Sequence, residues 1–216
     1  NQVLNTGKMP KKWCEGCIIT LWKERGEKEA VDNYRPITLI NAWWKLIMKI
    51  LDNRIKRFLD RNNLLHSYQH GFRKLQNCQD HIANAQEIIA RRRRNKKDTF
   101  VALFDIKKAY DTVWHQALWY KLCKYGIKGK VLRFIMSGYA QSNCKIRTRH
   151  GFTKSFAVTR GVRQGCPLSP TLFNLYINDI IEEIPNELGV LPMTKFQRKR
   201  KVLGFLFADD LLALSE

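Results

Sequence analysis

The chain has 216 residues and is 44% hydrophobic, ordinary for a globular protein and long enough for one or two domains with a real core. Its 39 Lys and Arg stand against 19 Asp and Glu, a formal charge of +20 with a pI of about 9.9, and that balance favours a polyanionic partner through counterion release. A membrane surface would also suit such charge, but no apolar run reaches the roughly 18 residues of a spanning helix, so nucleic acid is expected and a membrane is not. Six cysteines, at 14, 17, 78, 123, 144 and 166, follow no signal peptide and are expected as reduced intracellular thiols. Cys14 and Cys17 form a CxxC without the second pair or His cluster of a zinc site.

In chain order, Ile18 to Trp22 and Arg35 to Ile40 suit two strands, joined by a charge-rich segment from Lys23 to Asn33 that forms a hairpin tip. Asn41 to Asn62 reads as an amphipathic helix packing through Trp44, Ile47, Leu51, Ile55 and Phe58, with Leu46, Ile50 and Leu59 widening the stripe. A second helix is expected from Gln79 to about Arg94, packing through Ile82, Ala85, Ile88 and Ile89. It ends in Arg91, Arg92, Arg93 and Arg94, where cations suit the helix dipole and, at this net charge, a nucleic-acid backbone.

Phe100 to Phe104 has the aromatic and β-branched character of a buried strand, and it ends abruptly in Asp105. Helices are then expected from Trp114 to Tyr125, stopped by Gly126, and from Lys130 to Tyr139, followed by a hairpin from Cys144 to Thr159 joined at Gly151. In the next stretch Gly161 and Gly165 permit close backbone approach, and Ser169 with Pro170 starts a helix packing through Leu172, Phe173, Tyr176, Ile177 and Ile180. A basic run from Thr194 to Lys201, including Lys199 and Arg200, leads into VLGFLFADDLLALS, expected as a hairpin of two buried strands with Asp209 and Asp210 at its tip.

Adjacent carboxylates repel one another and resist desolvation, so the pair needs solvent or a cation. If the strand ending in Asp105 lies beside that hairpin, Asp105 meets Asp209. Three carboxylates at strand ends, with no nearby His or thiolate, suit Mg²⁺, with Mn²⁺ as the alternative. Two such ions would activate a primer hydroxyl and stabilise leaving pyrophosphate.

FDIKKAYD at 104–111, GVRQGCPLSPTLFN at 161–174 and FADD at 207–210 resemble motifs A, B and C of a reverse transcriptase, in that order. With NYRPIT at 33–38 and HGFRK at 70–74, the wording is similar to the non-LTR (LINE-type) retrotransposon enzymes. Group II intron and retron enzymes fit less well, since their middle motif is closer to PQGG than to the RQGC found here.

The resemblance implies an α+β right-hand polymerase core with an antiparallel palm sheet backed by the 114 and 170 helices. Fingers would comprise residues 1–98 and 114–157 and palm 99–113 and 158–216, with the thumb missing from this chain. It implies Asp105, Asp209 and Asp210 as catalytic acids, the metal held by Asp105, Asp209 and the backbone of Ile106. Lys23 and Arg35 would hold the triphosphate of the incoming dNTP, Gln164 and Gly165 would contact the nucleotide, and Tyr110 would be the steric gate against a 2′-hydroxyl. Asp111 resembles acids that cap the following helix. Arg73, Arg91 to Arg94, Lys199 and Arg200 would touch nucleic acid.

The implied activity is an RNA-directed DNA polymerase with an RNA template, a DNA primer or target DNA and dNTPs as partners, working in the nucleus after cytoplasmic assembly beside the remaining domains of a longer polyprotein. A catalytically silent RNA-binding module of the same fold is the rival. An RNA-dependent RNA polymerase would need a smaller residue than Tyr110.

Overall fold

The computed structural model describes residues 2–192 and 201–216. In chain order the elements are α1 (Gln2–Thr6), β1 (Glu15–Trp22), β2 (Tyr34–Ile40), α2 (Ala42–Arg61), α3 (Cys78–Arg94), β3 (Phe100–Asp105), α4 (Ala109–Thr112), α5 (His115–Lys124), α6 (Gly129–Ala140), β4 (Asn143–Thr148), β5 (Gly151–Phe152), β6 (Phe156–Ala157), α7 (Ser169–Ile177), β7 (Gly204–Phe207) and β8 (Asp210–Ser215). They form two compact units, Asn1–Asn62 with Tyr110–Tyr176, and Asn63–Ala109 with Ile177–Glu216. No helix among the described residues is long and apolar enough to cross a membrane.

In the first unit β1 and β2 form the expected hairpin, with Leu21 opposite Arg35 and Trp22 opposite Tyr34. β1 also pairs in parallel with β4, and both β5 and β6 return antiparallel onto β4. Helix α2 is started by Asn41, whose side chain accepts from the Trp43 amide at 2.8 Å. Its buried face is Trp44, Met48, Leu51, Asp52, Ile55 and Leu59, so the expected stripe is rotated and Leu46, Ile50 and Phe58 are exposed. Asp52 is fully buried because Thr171 Oγ1 donates to it at 2.5 Å and Lys56 Nζ lies 3.0 Å away. Helix α5 stops at Gly126 in the left-handed region, φ 84, with Ile127 N donating back to Leu122 O.

In the second unit the sheet order is β3-β8-β7, all antiparallel. The expectation that β3 is buried fails. Every residue of β3 is exposed, Leu103 at 79%, because β3 is an edge strand and β8 takes the central place. For the same reason the Leu211–Ser215 segment is no free edge. Within this unit the helix packed on the sheet is α3, through Ala85 and Ile88 against Phe205, Leu212 and Leu214. The 114 and 170 helices, α5 and most of α7, belong to the first unit.

Candidate active site

The FADD stretch folds as a hairpin with a two-residue turn, Ala208 and Asp209, between β7 and β8. That turn shifts the acids by one position from the sequence expectation. Asp210 is the first residue of β8 and stands in register with Asp105 on β3, while Asp209 occupies the turn. Strand alternation puts Asp105 and Asp210 on one face, where they border a cleft of about 360 Å³ whose walls include Cys78, His81 and Phe207.

Electrostatically the effect of the acids falls on Asp210. Burial pushes the Asp210 carboxyl above its usual range, and the negative charges of Asp209 and then Asp105 add to that push. Among the described residues no three His, Cys, Asp or Glu side chains form a closed metal cage. Magnesium does not need one, since it is held by one or two carboxylates together with waters and substrate phosphates. The three carboxylates are hard oxygen donors with excess negative charge, which fits that ion, but the expectation of no nearby His or thiolate fails, since His81 and Cys78 line the same cleft.

Ala208 adopts φ 56, a left-handed conformation uncommon for a residue with a side chain. Three contacts hold it. Gln69, fully buried, accepts from Ala208 N at 3.0 Å through Oε1 and donates to Ala208 O at 3.1 Å through Nε2. Gly71 lies so close that a Cβ there would be 2.2 Å from Ala208 N. Residues 68–70 also pair with β7, Leu206 N donating to Tyr68 O and His70 N donating to Leu206 O.

His81, in the wall of the cleft, stacks on His70 at 3.6 Å. His81 Nε2 lies 3.1 Å from Leu206 O, so that nitrogen carries the proton and donates. Burial, then His70, pulls the His81 pKa down to about 4, which keeps it neutral.

The sequence expectation saw only Arg73 in the HGFRK stretch. Its guanidinium donates to the carbonyls of His66 and Gln69 at 3.1 and 3.2 Å and so braces this same segment. Gln69 itself was missed, because a buried amide leaves no mark on hydrophobic periodicity. The spacing Gln-x-Gly ahead of a helix cap was the only available signal.

The residues expected to meet the nucleotide lie in the first unit. Arg35 on β2 stands opposite Leu21, and Lys23, just past the end of β1, donates through Nζ to Asp32 O at 2.8 Å and through its amide to Asn33 O at 2.8 Å. The RQGC turn docks on β2, with Thr38 N donating to Gln164 O at 2.9 Å, and Gly165 sits at φ 107 where a Cβ would be 2.9 Å from Thr38 O. Arg163, nearly buried, anchors the turn. It donates to Ser142 Oγ and to Cys14 O, and its guanidinium lies 4.2 Å over the Trp44 ring. Tyr110 stacks on Phe173 of α7 at 5.2 Å, and its carbonyl accepts from Val162 N at 2.7 Å. Gly161, at φ 87, lets the start of the GVRQGC stretch lie against Tyr110 and Asp111.

Asp111 lies inside α4, and the residue before α5 is Trp114, which makes no side-chain capping bond of its own. One expectation needs correction here. Arg92 does not belong to an exposed basic face. It is 1% exposed and bonds Thr99 Oγ1, Asp98 O and Glu216 Oε1, closing the end of α3 onto the strand that follows. Arg91 pairs with Glu87, whereas Arg93 and Arg94 are exposed. Lys199 and Arg200 lie outside the described residues.

Comparison with known proteins bears on the family and the fold. Residues 23–216 match the family model described as reverse transcriptase (RNA-dependent DNA polymerase). The chain is 31% identical over 211 residues to the retrovirus-related Pol polyprotein from type-1 retrotransposable element R2 of Popillia japonica, covering 97% of this chain and 29% of that protein. It is 27% identical to the RNA-directed DNA polymerase from mobile element jockey of Drosophila melanogaster, covering 100% of this chain and 23% of that protein. It thus spans less than a third of these longer relatives. An apo telomerase structure from Candida tropicalis superposes with a TM-score of 0.63 at 13% identity, over 94% of this chain and 44% of that one, which shows a shared fold. The α+β fold with its three ordered motifs and these relatives agree: the chain belongs to the reverse transcriptase family, among the domains of non-LTR, LINE-type retrotransposons.

Proposed function

We propose that this domain extends a DNA primer on an RNA template, using dNTPs in a phosphoryl transfer that depends on Mg²⁺. The observation that carries the reading is Asp105 standing in register against Asp210, with Asp209 in the turn beside them. Asp105 and Asp209, with the backbone carbonyl of Ile106, would hold the ion. Mg²⁺, or Mn²⁺ in its place, would supply a Lewis acid that acidifies the primer hydroxyl and offsets charge on the phosphates.

The remaining roles fall to the chain's own side chains. Lys23 and Arg35 bind triphosphate oxygens, a task for cations that contact several at once. Gln164 and Gly165 form one wall of the nucleotide site, their backbone fixed by Thr38. The Tyr110 ring, braced by Phe173, is a rigid stop for a 2′-hydroxyl. Arg73, Arg93 and Arg94, and the run at 199–200, contact the nucleic-acid backbone, while Arg92 serves only the fold.

By the resemblance to non-LTR retrotransposon enzymes, the partners are an RNA template, target DNA as primer and the other domains of a polyprotein, with the work done in the nucleus; the R2 relative, a Pol polyprotein of which this chain spans 29%, supports the place in a longer protein. Fingers at 1–98 and 114–157 and palm at 99–113 and 158–216 remain the functional division proposed.

Primer extension on RNA, with dNTPs compared against NTPs, tests the reading. Asp105→Ala and Asp209→Ala are expected to abolish extension while leaving nucleic-acid binding nearly intact, because cation–phosphate contacts dominate affinity. Tyr110→Val is expected to admit ribonucleotides. Undiminished extension by either Asp variant overturns the assignment, and binding without extension by the wild type favours the silent RNA-binding rival.

A further inference from the structure

We propose that Gln69 is a positioning residue for the acids, acting through the Ala208–Asp209 turn; this rests on the metal-binding reading just given. The side chain is fully buried, and its carboxamide closes on a single residue from both sides. Oε1 accepts from Ala208 N at 3.0 Å and Nε2 donates to Ala208 O at 3.1 Å. The same Oε1 accepts from Gly71 N at 2.7 Å, which fixes the amide's own orientation.

A plain hairpin has no use for this device. Ladder bonds between β7 and β8 already set the register, yet the first turn residue is an Ala held at φ 56, where a Gly would be relaxed. The conformation persists because its surroundings over-determine it. Gln69 and Gly71 are those surroundings, and the next two residues are Asp209 and Asp210. Rotation of the Ala208 peptide would displace Asp209, the next residue, and with it the start of β8 at Asp210. The clamp opposes that rotation while adding no charge, so the acids keep the negative potential a cation needs. Outer partners that hold ligands in place in this way typically change metal affinity or activity by about 10- to 100-fold when removed.

Gln69→Met keeps the volume and loses all three bonds; Gln69→Asn is too short to span them. Ile88→Val, in the core of α3, serves as a destabilised control. Two readouts apply to the folded chain. Amide hydrogen exchange by NMR should show Ala208 and Gly71 exchanging at least about tenfold faster in both Gln69 variants, while Leu206 stays protected through Tyr68 O. Mn²⁺ titration followed by electron paramagnetic resonance should show a dissociation constant raised about 10- to 100-fold in those variants and unmoved in Ile88→Val.

Faster exchange with wild-type Mn²⁺ affinity would overturn the proposal, as would unchanged exchange, or an equal loss of affinity in Ile88→Val. A wild-type chain that binds Mn²⁺ no better than Asp105→Asn would instead refute the metal reading itself, an outcome visible without any Gln69 variant.

Discussion

The turn at Ala208–Asp209 and the turn at Gln164–Gly165 are each held by one buried polar side chain, yet a neutral amide grips the first and a guanidinium the second. Each turn also leans on a glycine with no room for a Cβ, Gly71 in one case and Gly165 in the other. The difference follows from what each turn carries. A cation placed against Asp209 and Asp210 would pair with them, lower their pKa values and compete with any metal. An amide can hold the backbone without touching that potential. The RQGC turn carries no acid, so Arg163 can bond a carbonyl and a hydroxyl there and use the Trp44 ring for the rest of its charge.

The largest effect should come from filling the space behind the acidic turn. Gly71→Ala puts a methyl group 2.2 Å from a backbone nitrogen that cannot yield, and a loss of about 3 kcal/mol in urea unfolding is expected. Gly165→Ala meets Thr38 O at 2.9 Å from a φ of 107, and should cost about 2 kcal/mol. A Gly71→Ala protein with wild-type stability would mean that the turn is loosely held and that the two regions do not differ as described.

The anchors should then separate by what they change. Arg163→Met strands the Cys14 carbonyl and the Ser142 hydroxyl in a buried place, so about 2 kcal/mol of stability is expected to go. Turnover per folded molecule should fall far less than in Gln69→Met. Primer extension normalised to the folded fraction checks this, and the reverse order would remove the distinction between fold anchor and acid anchor.

The basic end of α3 gives a smaller contrast of the same kind. Arg92→Ala should destabilise the second unit with little change in the salt dependence of nucleic-acid binding. Arg93→Ala and Arg94→Ala should each flatten the slope of log affinity against log salt by up to about 0.9 and leave stability alone. Filter-binding titrations across salt concentrations separate the two outcomes.

That contrast also marks the limit of what the sequence carries. The buried stripe of α3 is His81, Ala85, Ile88 and Arg92, a regular helical spacing in which two of four residues are polar. A reading by hydrophobicity therefore chose Ile82, which is 52% exposed, and put Arg92 in solvent. The run Phe100 to Phe104 announced a strand correctly but not its burial, because pairing partners decide which strand is the edge. The motifs were legible, since three acids at the ends of apolar runs need a chemical reason. Their register was not: a two-residue turn takes Asp209 out of the ladder and sets Asp210 opposite Asp105, and nothing in FADD distinguishes the two.

The smallest prediction follows from that register. Asp210 is held above its usual pKa by burial and by its acidic neighbours, so keeping it ionised costs the metal-free fold some stability. For a carboxylate raised in the folded state, that cost is present at pH values above the folded pKa and vanishes as pH falls through it, the reverse of a salt-bridged acid. Asp210 is largely solvent-exposed, which screens this effect, so Asp210→Asn should melt no more than slightly higher than wild type at pH 7 in EDTA, and the gap should close on acidification. His81 complicates either curve alone. Its pKa of about 4 means that folding loses support as pH drops from about 6.5 toward 4, but this loss is common to both proteins and cancels in the difference. Added Mg²⁺ should invert the order, stabilising wild type by mass action and the variant less. If Asp210→Asn instead melts lower in EDTA at pH 7, Asp105 and Asp209 do not act on Asp210, and a neutral clamp would have no electrostatic reason to be neutral.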